Sequence, residues 1–203
     1  MAFEQGVSLE VRWLRPGGLP AAMIEWFSPF AAEFETREDT YLIAEHVHGV
    51  SVKIRGGERL DIKVAGEGCE VLDVPGRARG RTRHWTKWSF PIPPVPDEDF
   101  APPDWARVKK HRRIGRFPGA SDESTCAVEV TEVLRGGEQW WTVGFEAAGR
   151  PERQRATLDA TAALLFTNPL PDGVELRMTD SLSYAEWLDT PNREPPGPPP
   201  GSS

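Results

Sequence analysis

Three glutamates occupy positions from which their carboxylates could bind a metal ion. Glu10, Glu129 and Glu146 each stand between apolar neighbours, so in an extended segment they point to the polar face of the strand. Carboxylate oxygens are the ligands that Mg²⁺ and Mn²⁺ prefer in proteins. The three residues are therefore predicted metal ligands and catalytic residues. The simpler interpretation is that each is a solvated glutamate on a strand.

A second set of residues consists of Lys and Arg at the polar positions of several predicted strands. Between Arg77 and Arg116 there are eleven Lys or Arg and four Asp or Glu, although the whole chain has a net charge of −7. Guanidinium and ammonium groups are suited to bind phosphate oxygens. The predicted substrate-binding residues are Arg12, Lys53, Arg55, Lys63, Arg83, Lys87, Lys110 and Arg112.

The charged strand faces allow two arrangements. In the first they point outward into water, as most charged strand faces do. In the second the strands curl into a barrel with a cationic interior, where like charges repel and require an anion such as a polyphosphate. Removing Arg55 would then relieve repulsion and leave stability unchanged or raised. In the second arrangement, six side chains are predicted to converge around one concavity. They are Lys53, Arg55, Lys63, Lys110, Arg112 and Glu146.

The elements that must position these residues are mainly strands, identified by apolar residues at every second position. The predicted strands cover residues 7–13, 50–55, 60–64, 81–90, 105–114, 126–133 and 139–147. Two of the connections are glycine-rich turns, at 56–57 and 135–137. Helical patterns are confined to residues 19–30, 153–166 and 181–188, with Ser181 as the N-cap of the last.

Length and composition predict one domain. A chain of 203 residues with 38% hydrophobic residues is sufficient for a single core over residues 1–190, followed by a disordered proline-rich tail at 191–203. A second proline-rich stretch, 91–103, is predicted to be a surface loop. The acidic pI of about 5.2 disfavours nucleic-acid and membrane-surface roles. We find no long apolar run and no signal peptide, so we expect a cytoplasmic protein.

Several common site motifs are missing from the sequence. Cys69 and Cys126 have no CxxC or CxxH partner, which argues against a zinc site or a disulfide framework. The sequence contains no glycine-rich phosphate loop and no G-x-S-x-G nucleophile motif. His46 and His48 lack a nearby third ligand, so we interpret them as solvated or hydrogen-bonded. Any bound phosphate must therefore be held by cationic side chains.

Eight short motifs follow one another along residues 7–188 in an order that carries a family resemblance. They read EVR at 10–12, DTY at 39–41, VKIR at 52–55, LDIK at 60–63, VKKHR at 108–112, VEV at 128–130, GFE at 144–146 and SYAEWL at 183–188. In this order the sequence resembles the CYTH family, also called triphosphate tunnel metalloenzymes. The resemblance implies a β-dominated α+β fold: an antiparallel β-barrel of about eight strands with helices packed outside. It also implies metal-dependent chemistry at a triphosphate, with Mg²⁺ or Mn²⁺ as cofactor.

The sequence departs from the family pattern at two carboxylates. Where the family has E-x-E-x-K in its first strand, this chain has Ser8 as the first residue and Arg12 as the last. Where the family has E-x-E near the end, this chain has Gly144 before Glu146. Tryptophan-rich segments at 85–88 and 140–142 are typical of a divergent branch. These departures put metal-dependent activity in question.

The function predicted from these residues is a metal-dependent phosphohydrolase. Its substrate is a triphosphate-bearing small molecule or inorganic triphosphate, attacked in line by water while cations stabilise the phosphoryl oxygens. One alternative is a non-catalytic protein that binds polyphosphate or another phosphorylated ligand. Others are an enzyme for a phosphorylated organic substrate with an apolar part, and cyclase chemistry on ATP. Base stacking on Trp85 and Trp88 is a further alternative, although the net charge disfavours it.

Overall fold

The computed structural model of the chain describes residues 3–95, 103–119 and 124–190. Both the predicted tail and most of the proline-rich loop at 91–103 lie outside these residues. The elements are β1 (Glu4–Pro16), α1 (Ala21–Phe27), β2 (Glu33–Leu42), β3 (Val50–Arg55), β4 (Arg59–Ala65), β5 (Glu70–Val74), β6 (Ala78–Pro91), β7 (Trp105–Pro118), β8 (Ser124–Arg135), β9 (Glu138–Gly149), α2 (Pro151–Leu165) and α3 (Tyr184–Leu188).

Eight of the nine strands close into an antiparallel barrel. The strand order is β1-β9-β8-β7-β2-β3-β4-β6-β5, and β6 also pairs with β1, which completes the ring. Glu10 of β1 lies opposite Glu146 of β9 on one side and opposite Arg83 of β6 on the other. The structure therefore confirms the prediction of a β-dominated barrel with helices outside. In the described residues, no helix is long and apolar enough to cross a membrane.

The apolar faces of the strands point away from the barrel axis and are covered by helices. Leu9, Val11 and Trp13 of β1 are buried in a cluster with strands β8 and β9 and with Leu158 and Leu165 of α2. Burial of this outer face supplies the main hydrophobic stabilisation. Since side chains alternate along a strand, the polar residues between them must point into the barrel.

Two strands, β2 and β5, lie outside the segments that alternation predicts. Strand β2 has the sequence EFETREDTYL, and its Phe34 is 75% exposed. Neither face of the strand carries a row of apolar residues. Tyr41, near the end of the strand, is buried. Alternation detects a strand that buries one apolar face, and β2 instead buries charged side chains in the barrel interior.

Helix α3 packs at one end of the barrel. Its Trp187 and Leu188 are buried with Leu14, Val108 and Val133. The prediction that Ser181 caps this helix is wrong, because a short 3-10 helix over Met178–Asp180 ends at that residue. The N-cap is Ser183, whose hydroxyl accepts a hydrogen bond from the Glu186 amide while the Glu186 carboxylate accepts one from the Ser183 amide.

Strand β5 adds to the outside of the ring by pairing with the first half of β6. Helix α2 reaches this strand through Arg155. The Arg155 guanidinium donates to the Val71 carbonyl oxygen at 3.1 Å and lies 2.6 Å from the Glu70 carboxylate. Both contacts lie on the same short strand, so α2 is tied to it by polar as well as apolar packing.

Candidate functional site

The barrel encloses a cavity of about 540 Å³. This volume lies in the range of small-molecule sites. Side chains from the ring strands and from the segment 181–186 line it. The lining includes every residue predicted for the site: Glu10, Arg12, Lys53, Arg55, Lys63, Arg83, Lys87, Lys110, Arg112, Glu129 and Glu146. The charged faces thus point inward, and the outward arrangement is wrong. The roles of these residues as ligands remain predictions.

The cavity is cationic overall, but it contains many carboxylates of its own. Among the residues that the structure describes, its lining has eleven Lys or Arg and seven Asp or Glu, an excess of four positive charges in a protein whose net charge is −7. The sequence-based prediction missed Glu33, Glu35, Asp61 and Glu186 in this lining, as well as Asp39 buried behind it. Because the seven lining carboxylates offset most of the cationic charge, the expected need for an anion to relieve repulsion is smaller than the sequence implied.

Asp39 forms the deepest charged cluster. Its carboxylate is completely buried and lies 2.9 Å from the Lys53 Nζ and 3.0 Å from the Lys110 Nζ. The Arg37 guanidinium approaches the other oxygen at 3.0 Å. Burial alone would raise the pKa of the Asp39 carboxyl, but Lys110 and Lys53 outweigh it and hold the pKa well below its usual range. The pKa of Lys53 is also lowered, to about 8, because burial outweighs the attraction of Asp39.

Asp61, on β4, is shared by cations from two other strands, β3 and β6. It pairs with Arg55 of β3 and accepts a hydrogen bond from Ser89 of β6, while Lys87 and Lys53 lie 3.7 and 3.9 Å away. The sequence-based expectation that Arg55→Ala relieves repulsion is not supported by this geometry. Arg55 is an ion-pair partner of a buried carboxylate, so its loss is expected to lower stability modestly. Within the described residues, the Arg55 Nε has no hydrogen-bond partner.

Glu129 is held between two guanidinium groups. Both Arg12 and Arg112 donate hydrogen bonds to its carboxylate, and Arg112 also pairs with Glu35. Burial would raise the pKa of Glu129, but Arg12 and Arg112 outweigh burial and hold the pKa well below its usual range. Glu129 is thus an ionised carboxylate whose oxygens already have strong donors.

Glu10 and Glu146 share one cation, Lys63 of β4. The Lys63 ammonium donates to the Glu10 Oε1 and lies 3.7 Å from the Glu146 Oε1. Glu10 also accepts a hydrogen bond of 2.8 Å from the Ser8 hydroxyl. Lys63 lowers the pKa of the Glu146 carboxyl more than burial raises it. The Glu146 side chain is still 43% exposed toward the cavity, which makes it the most accessible of the three predicted catalytic carboxylates.

The predicted Mg²⁺ or Mn²⁺ site requires these three carboxylates to act as one ligand set. No group of three or more His, Cys, Asp or Glu is placed to hold a metal ion in the part of the chain that the structure describes. Glu129 is engaged by two arginines, and the other two glutamates are engaged by Lys63. A divalent cation needs several free oxygen ligands at once. The donor set in this arrangement therefore does not fit that ion.

Aromatic side chains form part of the cavity wall. The Tyr184 ring of α3 lies 4.0 Å from the Lys110 Nζ and 4.8 Å from the Arg12 guanidinium carbon, both of them cation–π contacts. Its buried hydroxyl has no hydrogen-bond partner within the described residues. Tyr184 belongs to the SYAEWL motif at 183–188, which predicted no role for its side chain. Trp85 also lines the cavity, and at 5% exposure it offers no open platform for base stacking.

Comparison with known proteins gives weak structural similarities. No protein-family model and no curated protein matches the chain. The structure of S. pombe Pct1 RNA triphosphatase in complex with the Spt5 CTD matches with a TM-score of 0.41 at 12% identity, over 81% of this chain and 84% of that one. The PH1819 protein from Pyrococcus horikoshii OT3 matches with a TM-score of 0.42 at 16% identity, over 88% and 97%.

Proposed function

We propose that this protein binds a triphosphate-bearing small molecule, or inorganic triphosphate, inside its β-barrel. The observation that carries the proposal is the concentration of eleven Lys and Arg around one cavity, in excess over the carboxylates there. Phosphate oxygens accept charge-assisted hydrogen bonds from such groups. A chain of three phosphates can contact several of these cations at once, whereas a single phosphate or sulfate can reach fewer.

The wall formed by β3, β4 and β6 is the most suitable surface for the phosphates. Asp61 is the carboxylate shared there by Arg55, Lys87 and Lys53. Burial lowers the pKa of Lys87, and the neighbouring Arg55 lowers it further, so the positive charge on this wall is only partly compensated. A bound anion would compensate it. We therefore assign phosphate binding first to Arg55 and Lys87, and then to Arg83, which lines the same cavity from β6.

Thermal unfolding with added tripolyphosphate tests this assignment. A ligand that binds the folded state raises Tm with concentration, so tripolyphosphate is expected to raise it more than phosphate or sulfate. Arg55→Ala and Lys87→Ala should remove most of this rise. Arg113→Ala is the matched control, because Arg113 lies on β7 next to Arg112 but does not line the cavity. An equal response in the wild type and in both cavity variants would contradict the proposal.

Hydrolysis of the bound triphosphate is the second candidate function, and Glu146 favours it. Its carboxylate is accessible from the cavity and stays ionised because Lys63 lowers its pKa. An ionised carboxylate can accept a proton from an attacking water, while the Lys and Arg side chains stabilise charge on the phosphoryl oxygens. The predicted phosphohydrolase, cyclase and apolar-substrate alternatives all share this phosphate site.

Phosphate release separates catalysis from binding. The wild-type protein is incubated with inorganic triphosphate, ATP and thiamine triphosphate, each with Mg²⁺, with Mn²⁺ and with EDTA. Hydrolysis predicts phosphate release that Glu146→Gln abolishes while the Tm response to tripolyphosphate remains. Binding without release in every condition would instead support the non-catalytic alternative. Product analysis with ATP distinguishes cyclisation from hydrolysis.

A further inference from the structure

We propose that two side chains of the protein itself, Lys63 and Arg12, occupy the positions among the barrel carboxylates where a divalent metal ion would otherwise be held. The cavity then binds its phosphorylated ligand without a metal. This second statement rests on the proposed function, whereas the first concerns the carboxylates alone.

Lys63 bridges two carboxylates that the barrel brings together. Glu10 and Glu146 are directly opposite each other on β1 and β9. Two adjacent carboxylates repel unless a cation lies between them. The Lys63 ammonium supplies that cation, since it contacts the Oε1 atoms of both. The two carboxylates outweigh burial and raise the pKa of Lys63, so it stays an ammonium at neutral pH.

Arg12 occupies a space that is open because residue 144 is a glycine. A Cβ atom at Gly144 would lie 2.7 Å from the guanidinium carbon of Arg12 and equally close to its Nη2. Such contacts are shorter than real Cβ atoms make, so a side chain at this position is incompatible with the present position of Arg12. From this space Arg12 donates to Glu129 and, at 3.2 Å, to the Thr142 hydroxyl. Position 144 thus contributes room for a cation.

Little negative charge is left for a metal ion. Glu10 and Glu146 together carry two negative charges, of which Lys63 offsets one, and Glu129 is paired with two guanidinium groups. A metal ion would have to displace cations that are covalently attached to the barrel. Because Lys63 and Arg12 are attached to the chain, they lose less translational entropy at these positions than a free metal ion does. We therefore expect them to exclude the ion.

Manganese binding in the absence of phosphate tests the first statement. Mn²⁺ is titrated into the wild type, Lys63→Met and the double variant Lys63→Met/Glu146→Gln, and the free ion is followed by electron paramagnetic resonance. The wild type should show no saturable binding. Lys63→Met exposes two unpaired carboxylates and should gain binding, which the double variant should lose again. Saturable binding by the wild type that Glu10→Gln removes would overturn the proposal, and this comparison is decisive even if Lys63→Met does not fold.

The second statement has its own readout. The rise in Tm with tripolyphosphate should be the same in EDTA, and Mg²⁺ should not enlarge it. A rise that appears only with Mg²⁺ would overturn metal-independent binding while leaving the proposed function intact. If tripolyphosphate has no effect in either condition, the proposed function and this second statement both fail. The manganese titration then still decides whether Lys63 replaces a metal ion.

Discussion

Glu129 is the carboxylate on which the charge network of the barrel depends most. Its replacement by Gln would leave Arg12 and Arg112, both largely shielded from solvent, without their shared anion. Breaking a buried ion pair in this way costs about 3 kcal/mol or more of unfolding free energy. We expect Glu129→Gln to lose that amount in urea unfolding. Glu25→Gln on the exposed face of α1 is the control, and equal stability of the two variants would contradict the structure.

The unusual pKa of Lys53 predicts how ligand binding depends on pH. Because burial lowers the pKa to about 8, Lys53 loses its charge as the pH rises through this value. A phosphate oxygen binds the ammonium form better than the neutral amine. The affinity for tripolyphosphate, measured by calorimetry, should therefore fall above about pH 8. The arginine of the Lys53→Arg variant stays protonated in this range, so the affinity of this variant should change less with pH. An identical decline in both proteins would show that Lys53 does not cause the pH dependence.

The packing of β6 against Trp13 of β1 predicts that a side chain at Gly80 destabilises the protein. A Cβ there would lie 2.6 Å from the ring of Trp13, whose Nε1 donates to the Arg79 carbonyl at 2.9 Å. The ring is rigid and fully buried, so Gly80→Ala should cost about 1–3 kcal/mol. Gly6→Ala on β1 is the matched control, because no atom lies within 4 Å of its added Cβ. Thermal unfolding compares the two, and equal Tm values would be inconsistent with this packing.

The capping box of α3 can be tested in the same way. Removing the Ser183 hydroxyl leaves the Glu186 amide without its acceptor, which typically costs about 1 kcal/mol. Ser183→Ala should therefore lower the unfolding free energy by that amount, and Ser183→Asn should restore it. If Asn does not differ from Ala, the hydroxyl stabilises the protein in some other way.

Strands and helices that bury an apolar face were predictable, and those that bury charge were not. Residues 50–55 match β3 in full, because Val50, Val52 and Ile54 alternate with polar residues. Strand β2 carries charges at its inward positions, so alternation gave no signal there. The cap of α3 was misplaced although the sequence distinguishes the two serines: Ser183 has Glu186 three residues later, the capping-box spacing, whereas Ser181 has a tyrosine there.

At the scale of the whole molecule, the buried carboxylates predict acid sensitivity. Nearby cations hold the pKa values of Asp39, Asp61 and Glu129 below their ordinary values. A carboxyl whose pKa is depressed by folding stabilises the protein above its unfolded pKa, and this contribution is lost as the pH falls further. The unfolding free energy in urea should therefore decrease below about pH 4. An unchanged value at about pH 3 would contradict the network, and Asp61→Asn should weaken the dependence.

The composition of the cavity wall was predictable only in part. The alternation of apolar and polar residues placed Glu10 and Arg12 on the polar face of one predicted strand and Lys63 on the polar face of another. Closure of the barrel brings these faces together. The pairing partners could not be predicted, because they depend on register: Lys63 reaches Glu10 across β6 rather than from a neighbouring strand. For the same reason, the sequence could not show that Gly144 makes room for Arg12.

The contact between Arg155 and β5 bears on how the protein behaves at high concentration. Unpaired strand edges are templates on which other molecules can add a strand and begin to aggregate. Strand β5 is five residues long, and its Glu70 and Asp73 carry charge. Arg155 occupies the Val71 carbonyl, one of the acceptors that an incoming strand would need. The charge and the occupied carbonyl together make this edge a poor template for intermolecular sheet growth.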